Sequence, residues 1–516
     1  MKYSTAAFLF LVMFCFYHTA FSNDRNELAK IFRKSVDYAP KDTYEDYLSS
    51  RSTEPLFLSE RRVFYPAPNT RKSSSISKIF VITESVLYAQ VESYVLRYIN
   101  DIQNVYGCTI VSQQVSSSAT AENLKNLIIS EYEEGILSGT VLIGDLPAAW
   151  FEIQNDFDYY GYAEFPCDLF LMDLNGTWTD TNGNGKYNSH TGNVSPEIFV
   201  GRISTANMGN FMQEVQGMKD YLDKNHDFWT GTTSLNLQKG LTYTDYDWQT
   251  YSYFLHDLQY LYGSNYQALT PNNLPAFGKT DYINRLNNEV YEFVQLSCHS
   301  SWTLHRMYGS NSNTYEQIYN DEIYNIPPKA IAYNLFCCSG VRWTNTGSDG
   351  FLGGAYVYHS GSKTLASVGS TKTGSMLGFS YFYSHLFNEK AIGMALKNWW
   401  IDYVGPTHDF DELCWFYGMS IIGDPLTNPL YLAPETPLPP EYVIVSFSDG
   451  NINLTWDKVW DCSFYAIYSS DNPYSAFPDD WIIEDDNVTT ESWTDTNVSS
   501  SKKFYIVTAV RAKAMH

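Results

Sequence analysis

Two segments of the sequence decide the fold: VYEFVQLSCHSS at residues 290–301 and KAIAYNLFCCSG at residues 329–340. Each contains the apolar run of a strand that is covered on both faces. His299 and Cys337 follow these runs, and the 38 residues that separate them (337 − 299) leave room for the crossover that parallel neighbours need. Because ligands of open α/β sheets bind outside the carboxyl ends of the strands, the pattern predicts that both side chains face one site.

Together, Cys337 and His299 supply the groups for covalent hydrolysis of an amide. A thiolate attacks the carbonyl carbon, and an imidazole handles the protons of attack and departure. Taken singly, each residue has an ordinary structural explanation, since a histidine at a strand end is commonly hydrogen-bonded and a cysteine there is commonly a small buried hydrophobe. The prediction of catalysis therefore depends on the pair.

The arrangement resembles the caspase-like cysteine peptidases, in which one hydrophobic strand ends in His-Gly and a later one ends in a small residue and the nucleophilic Cys. The turn at residues 337–340 is similar to those of legumains and gingipains, in which a Gly lies three positions after the Cys. The resemblance implies Cys337 as nucleophile, His299 as acid/base, and the backbone N–H groups of Cys337 and Ser300 as oxyanion donors. The chain departs from the family at Ser300, where Gly is usual, and at Phe336, where Ala is usual. A catalytically inactive surface adhesion or binding protein with the same fold is therefore the alternative.

A second resemblance, to the gingipain-type (C25) peptidases, lies in residues 165–204 and in Gly423-Asp424-Pro425. It extends over roughly residues 79–432. It implies that Asp168 lines the pocket for a basic substrate side chain, with a structural loop Asp as the alternative. Glu152 and Asp158 are candidates for orienting His299.

Residues 180–187, DTNGNGKY, match the first half of a calcium loop. Asp180, Asn182 and Asn184 would supply oxygen ligands at alternate positions, and Gly185 is sixth. Thr191 stands where the bidentate Glu would be, so an ordinary Asn-Gly turn is the alternative. Structural calcium is the only cofactor that the sequence suggests.

Composition and charge bound the class of protein. With 516 residues, 44% apolar and 17% charged, the chain is long enough for two or three domains. Its formal net charge of −24 argues against nucleic acid or an anionic membrane as partner. We expect protein or peptide substrates, a monomer, and no transmembrane segment.

The expected export follows from residues 1–22, which have one positive charge at Lys2, an apolar run over residues 6–16 and a small-residue exit. Their removal leaves seven of the eight cysteines, and an odd number leaves at least one thiol unpaired. A Cys298–Cys338 disulfide is a further hypothesis. The predicted location is extracellular or at the cell surface.

The predicted fold class is α/β: a caspase-like, mostly parallel sheet flanked by helices, followed by a small all-β sandwich. The predicted parts are a signal peptide (1–22), a pro-segment (23–77), an N-terminal α/β subdomain (78–205), a catalytic α/β subdomain (206–432), a Pro-rich linker (433–440) and the sandwich (441–516). In the last part, Trp456 and Tyr505 resemble the core Trp and corner Tyr of fibronectin type III domains. The predicted function is a secreted cysteine endopeptidase that forms a thioester at Cys337, with the basic preference that the resemblance implies.

Overall fold

In the computed structural model the described residues are 28–31, 42–67, 75–134, 136–156, 161–233, 239–311, 313–344, 350–405, 413–431, 439–440, 442–459, 462, 464–478, 480–496 and 503–510. The predicted signal peptide, Asp158 and most of the predicted linker lie outside these residues. Within them, no helix is long and apolar enough to cross a membrane.

An eleven-stranded sheet forms the centre of the molecule. Its strands are β1 (Arg62–Phe64), β2 (Lys78–Glu84), β3 (Thr109–Val115), β4 (Gly139–Ile143), β9 (Phe199–Ile203), β10 (Gly240–Thr244), β11 (Tyr266–Leu269), β12 (Phe293–Ser297), β16 (Ala332–Phe336), β17 (Ala366–Ser370) and β18 (Met419–Gly423). Their order across the sheet is β1-β3-β2-β4-β9-β18-β17-β16-β12-β10-β11. Most neighbours are parallel, whereas β1 runs antiparallel to β3 and β18 antiparallel to β17. The predicted mostly parallel sheet is confirmed.

Helices cover both faces of this sheet. They are α1 (Tyr44–Ser50), α2 (Ser85–Tyr106), α3 (Ala121–Glu133), α4 (Leu169–Met172), α5 (Glu214–Trp229), α6 (Ser252–His256), α7 (Gln259–Tyr262), α8 (Lys279–Asn288), α9 (Asn320–Tyr324), α10 (Leu352–Tyr358), α11 (Phe379–Glu389) and α12 (Ile392–Trp399). Their ends follow local chemistry: Glu84 accepts the N–H groups of Val86 and Leu87 at the start of α2, and Gly107, at φ 61°, ends it. Two hydrophobic clusters, one on each side of the sheet, form the core.

Shorter strands form two hairpins and a three-stranded sheet outside the central sheet. The hairpins are β5 (Trp150–Ile153) with β6 (Ala163–Pro166) and β7 (Thr177–Thr179) with β8 (Ser189–Thr191). A three-stranded sheet, β13-β14-β15, is formed by His299–Ser300, Leu304–Tyr308 and Tyr315–Tyr319. It begins directly after β12 and so stands beside the predicted site.

The segment before β2 is part of the folded molecule. Tyr47 of α1 is buried and its hydroxyl accepts the N–H of Ala148 at 2.9 Å, while Arg51 donates to the carbonyl of Asp145 and pairs with its carboxylate at 2.8 Å. Residues 42–64 therefore dock on the loop after β4, and β1 adds to the sheet edge. Whether the segment is removed as a pro-segment stays a prediction.

The carboxyl-terminal part contains two small antiparallel sheets. One is β19-β20-β23 (Val443–Ser448, Asn451–Trp456, Ser492–Asp495) and the other is β22-β21-β24 (Ile482–Val488, Phe464–Ser470, Phe504–Val510). Leu454, Trp456 and Ile467 lie in their shared core, and the hydroxyl of Tyr505 donates to Asp495 at 2.7 Å. The expected all-β part is confirmed as small antiparallel sheets, whereas the fibronectin type III resemblance stays a prediction.

Candidate active site

The carboxyl ends of β12 and β16 meet, as the sequence predicted. The strands are parallel with Ser297 opposite Phe336, and the N–H of Cys298 donates to the Phe336 carbonyl at 3.2 Å. Beyond the strands, the Ser300 hydroxyl donates to the Cys338 carbonyl at 2.7 Å. The structure therefore brings the His299–Ser300 backbone next to Cys337–Cys338.

His299 has a carboxylate partner that the sequence analysis missed. Its Nε2 lies 3.1 Å from Oδ2 of Asp247, and the side chains of His299 and Asp247 are 1% and 7% exposed. Asp247 follows β10, which pairs with β12 on the side away from β16. Three adjacent strand ends therefore supply Asp247, His299 and Cys337 in that order across the sheet.

Glu152, one of the two residues expected to orient His299, lies elsewhere. Its carboxylate accepts the side-chain N–H groups of Asn182 and Asn184 at 2.7 and 3.1 Å and the hydroxyl of Tyr162 at 2.8 Å. The expectation for Glu152 was wrong. A signal for Asp247 was present, because the acidic pair Asp245 and Asp247 comes directly after β10, at the edge of the sheet where ligands bind.

Two aromatic rings flank the His299 imidazole. Trp248 and Tyr308 both lie with ring centroids 5.4 Å from it. Phe336, where the family usually has Ala, packs edge-on against Trp248 at 5.0 Å. The larger side chain thus supports a ring that in turn contacts His299.

The Cys337 turn is held against the end of β17. Ser339 adopts φ 56°, and its N–H donates to the Lys372 carbonyl at 2.9 Å. A Cβ at Gly340 would lie 2.6 Å from Cys337 Sγ, so this position has no room for a side chain while the sulfur occupies its place. The glycine that carried the resemblance therefore has a steric reason.

The two neighbouring sulfurs have different surroundings. Cys337 is 0% exposed and belongs to the same hydrophobic cluster as Cys298, whereas Cys338, at 1%, belongs to the cluster of Phe336 and Trp248. Neither Cys298 nor Cys338 is in a disulfide, which contradicts the hypothesis of a bond between them. Since Trp248 contacts His299, the Cys338 side chain shares a cluster with the imidazole's neighbour.

The predicted oxyanion donors are the backbone N–H groups of Cys337 and Ser300. The N–H of Cys337 donates to the Leu335 carbonyl at 2.9 Å, within its own turn. Ser300 is held by the bond from its hydroxyl to Cys338. An oxyanion role for Cys337 and Ser300 stays a prediction.

A second histidine lies behind the site in a buried network. His305 Nδ1 is 3.4 Å from Cys298 Sγ, His305 Nε2 is 3.0 Å from the Tyr356 hydroxyl, and that hydroxyl is 2.9 Å from Tyr282. Burial lowers the pKa of His305 to about 3 and raises that of Cys298. Neutral throughout the physiological range, His305 packs and orients rather than transfers protons.

Asp168 is engaged by another side chain. Its two oxygens lie 2.9 and 3.0 Å from Arg202 Nε, Oδ1 also accepts Arg202 Nη2 at 2.7 Å, and the residue is 1% exposed. Arg202 additionally donates to the carbonyls of Leu146 and Pro147. This geometry is that of a structural ion pair, and a substrate-binding role for Asp168 stays a prediction.

The expected calcium loop forms a compact turn. The Asp180 carboxylate accepts backbone N–H groups of Asn182, Gly183 and Gly185 at 3.2, 2.7 and 2.7 Å. Glu152, on a separate hairpin, accepts hydrogen bonds from the side-chain amides of Asn182 and Asn184. It therefore adds a second carboxylate to a loop that contains only Asp180. Across the described residues, no cluster of three or more His, Cys, Asp or Glu could hold a metal. Glu152 also lies 3.5 Å from the Lys186 ammonium, and calcium binding at this loop stays a prediction.

A protein family and several solved structures are similar to this chain. The family model described as Peptidase family C25 matches residues 73–430. Among solved structures, the Arg specific cysteine proteinase gingipain R (RgpB) is 14% identical, with TM-score 0.48, covering 87% of this chain and 94% of that one. A complex of Porphyromonas gingivalis RgpB pro- and mature domains gives 14%, 0.48, 85% and 94%, and a structure described as a protease gives 12%, 0.47, 84% and 97%. None of the curated proteins compared with the chain matches it.

The sheet, with a histidine and a cysteine at adjoining strand ends, is that of a cysteine peptidase. The family match covers more than half of the chain, and the chain therefore belongs to peptidase family C25.

Proposed function

We propose that this peptidase is an exported endopeptidase in which Cys337 is the nucleophile, His299 the acid/base and Asp247 the group that orients the imidazole. The observation that carries the assignment is the row of three strand ends, with His299 Nε2 held 3.1 Å from Asp247 and its backbone beside the Cys337 turn. A carboxylate on one imidazole nitrogen fixes the ring and stabilises its protonated form.

The arrangement supports the following sequence of bond changes. With Nε2 turned to Asp247, Nδ1 takes the proton of the Cys337 thiol, and the thiolate attacks the substrate carbonyl carbon. His299 then gives that proton to the leaving amine as the C–N bond breaks, leaving a thioester. Water, deprotonated by His299, attacks the thioester carbon; the acid departs and the thiol is regenerated.

Access to the sulfur is part of this proposal. Cys337 and His299 are 0% and 1% exposed, so a substrate reaches them only when side chains around the turn move. The segment of residues 42–64 contacts the chain just after this turn, because Arg342 donates to the Asp42 carbonyl at 2.7 Å. Arg342 also donates to the Glu164 carbonyl at 3.0 Å.

A preference for basic residues remains a separate part of the proposal. Two buried carboxylates near the site already face cations: Asp168 faces Arg202, and Asp156 lies 2.9 Å from Lys372. Asp168 cannot neutralise a substrate side chain while Arg202 holds both its oxygens. A peptide series with Arg, Lys, Asn or Ala before the scissile bond measures the preference directly.

The decisive experiment combines turnover with labelling. Mature protein under reducing conditions is incubated with fluorogenic peptides and with a peptidyl electrophile, and the modified cysteine is located by mass spectrometry. We expect label on Cys337, no turnover by Cys337→Ala, and retained turnover by the matched Cys338→Ala. Label on Cys338, with activity lost in that variant only, would transfer the nucleophile's role to it.

Membership of the C25 family favours an enzyme over the inactive adhesion or binding protein that the sequence left as alternative. Two sequence features support export: the leader-like residues 1–22 and the low share of positive charge. Absence of both turnover and labelling in the same experiment would restore the alternative.

A further inference from the structure

A second aspartate, Asp245, lies directly after β10 and two residues before Asp247. It is 0% exposed, and its backbone N–H donates to the Ser297 carbonyl at 2.9 Å. Ser297 is the last residue of β12, which pairs with β10 and leads to His299. The backbone of Asp245 is therefore fixed to the strand that precedes the histidine.

The Asp245 carboxylate joins two segments of the chain. Its Oδ1 accepts the backbone N–H of Asp247 at 3.1 Å, and its Oδ2 accepts that of Tyr308 at 3.3 Å. Tyr308 is the last residue of β14, and its carbonyl accepts the N–H of Tyr246 at 2.9 Å. Because β14 pairs with β13, the strand of His299, the carboxylate links the loop after β10 to the sheet beside the site.

Asp245 is hydrogen-bonded to three residues whose side chains flank the imidazole. Asp247 Oδ2 lies 3.1 Å from His299 Nε2, and the ring centroids of Trp248 and Tyr308 lie 5.4 Å from that of His299. The N–H of Trp248 donates to the Asp245 carbonyl at 3.2 Å. The carboxylate thus holds Asp247 and Tyr308, and the backbone carbonyl holds Trp248.

We propose that Asp245 is a positioning residue of the peptidase. Its carboxylate holds the Asp247 backbone in the conformation that turns the Asp247 side chain to His299. The inference rests on the proposed roles of Cys337, His299 and Asp247, and it adds a residue that acts through Asp247. An aspartate that accepts the N–H two residues further on fixes a tight local turn, and burial strengthens such a bond.

This role requires an acceptor oxygen at residue 245. An asparagine has one acceptor oxygen, which can stay on the Asp247 N–H while the bond to Tyr308 is lost. An alanine has none, so the Asp247 N–H loses its side-chain partner and the turn is free to open. Both substitutions remove the buried charge, and they differ in whether the turn is held.

The test is a double-mutant cycle on kcat with one fluorogenic peptide, expressed per site that a peptidyl electrophile labels at Cys337. We expect Asp245→Ala to lower kcat by about tenfold or more with KM within about threefold, because a mispositioned carboxylate weakens the transition state and not the binding of the substrate. In the Asp247→Asn background the same change should lower kcat by less than about threefold, since the carboxylate that it positions is already gone.

Two further variants separate positioning from folding. Asp245→Asn should recover most of the kcat that Asp245→Ala loses. Asp173→Ala is the matched control, because Asp173 is also 0% exposed and its Oδ1 accepts the N–H groups of Asn175 and Gly176 at 3.2 and 2.7 Å. It should lower Tm and keep the wild-type kcat per labelled site.

Three results would overturn the proposal: a wild-type kcat in Asp245→Ala, losses that multiply in the double variant, or an Asp245→Asn as slow as Asp245→Ala. If Asp245→Ala does not fold, Asp245→Leu takes its place, and failure of both to fold assigns Asp245 to the fold and also overturns it. Any of these results, with turnover and labelled Cys337 in the wild type, leaves the peptidase function standing. No turnover and no labelling removes both.

Discussion

A substitution at Asp247 tests its role in catalysis separately from its role in the structure. Asp247→Asn keeps the size of the side chain but no longer favours the protonated imidazole, so we expect kcat to fall by roughly 10²-fold or more, with KM within about threefold. Steady-state kinetics on one fluorogenic peptide measure both constants. Asp223→Asn, which alters an aspartate beside Arg97 on a helix surface, is the matched control. Equal kcat in both variants would remove Asp247 from the site.

His305 makes stability depend on pH. Its pKa is about 3 in the folded state against an ordinary 6.5, so the unfolded chain takes up a proton at higher pH than the folded one. Its contribution is fully present above pH 6.5 and is lost as pH falls toward 3, with a maximum loss of roughly 3–5 kcal/mol. We expect His305→Gln to be less stable near pH 8 but to show a flatter fall of the free energy of unfolding between pH 6.5 and 4. Urea titrations at several pH values test this, and parallel curves for the two proteins would contradict it.

Among the structural elements, the turn after β16 places Gly340 beside the sulfur of Cys337. A methyl group at residue 340 would lie 2.6 Å from Cys337 Sγ, so Gly340→Ala must displace the sulfur or the turn. We expect a loss of about 1–3 kcal/mol in stability and a large loss of turnover. In a Cys337→Ala background the same change should cost markedly less, because the sulfur is gone. Equal costs in both backgrounds, from denaturant unfolding of the four proteins, would show that the contact does not matter.

The loop at residues 180–187 gives a test of the calcium prediction. Asp180 belongs to this loop and Glu152 bonds to its asparagine side chains from a separate hairpin. A cation that binds to the loop would stabilise the folded state. We expect a chelator to lower Tm by several degrees and calcium to restore it, with the response absent in Glu152→Gln. A Tm that ignores both chelator and calcium would mean that the loop's own hydrogen bonds suffice.

How far the sequence predicts such elements depends on the distance between partners along the chain. The apolar runs before His299 and Cys337 identified two neighbouring strands, because burial of a parallel strand leaves a local pattern. Asp247 was missed because its contact arises from the pairing of β10 with β12, which no local pattern encodes. The sequence analysis did not predict the pairing of Asp168 with Arg202, 34 residues away, for the same reason.

For the whole molecule, the question is whether the fold tolerates removal of the amino-terminal segment. Residues 42–64 contribute a buried tyrosine, an ion pair and an edge strand, so their removal exposes the apolar surface that they cover. We expect a chain that begins at residue 68 to unfold at a clearly lower temperature than one that begins at residue 23. Equal Tm values for the two truncations would show that the segment is dispensable, as a removable pro-segment requires.

The burial of the sulfurs has a consequence for how the protein behaves in air. Of the seven cysteines in the described part of the chain, only Cys462 is partly exposed, and none is in a disulfide. Colorimetric thiol reagents act on accessible thiolate, so native protein should consume about one equivalent of Ellman's reagent quickly at Cys462. Cys337 should react next, as side chains around its turn move, and the other five thiols only after denaturant is added. Storage without a reductant should therefore spare most of the thiols for as long as the fold holds.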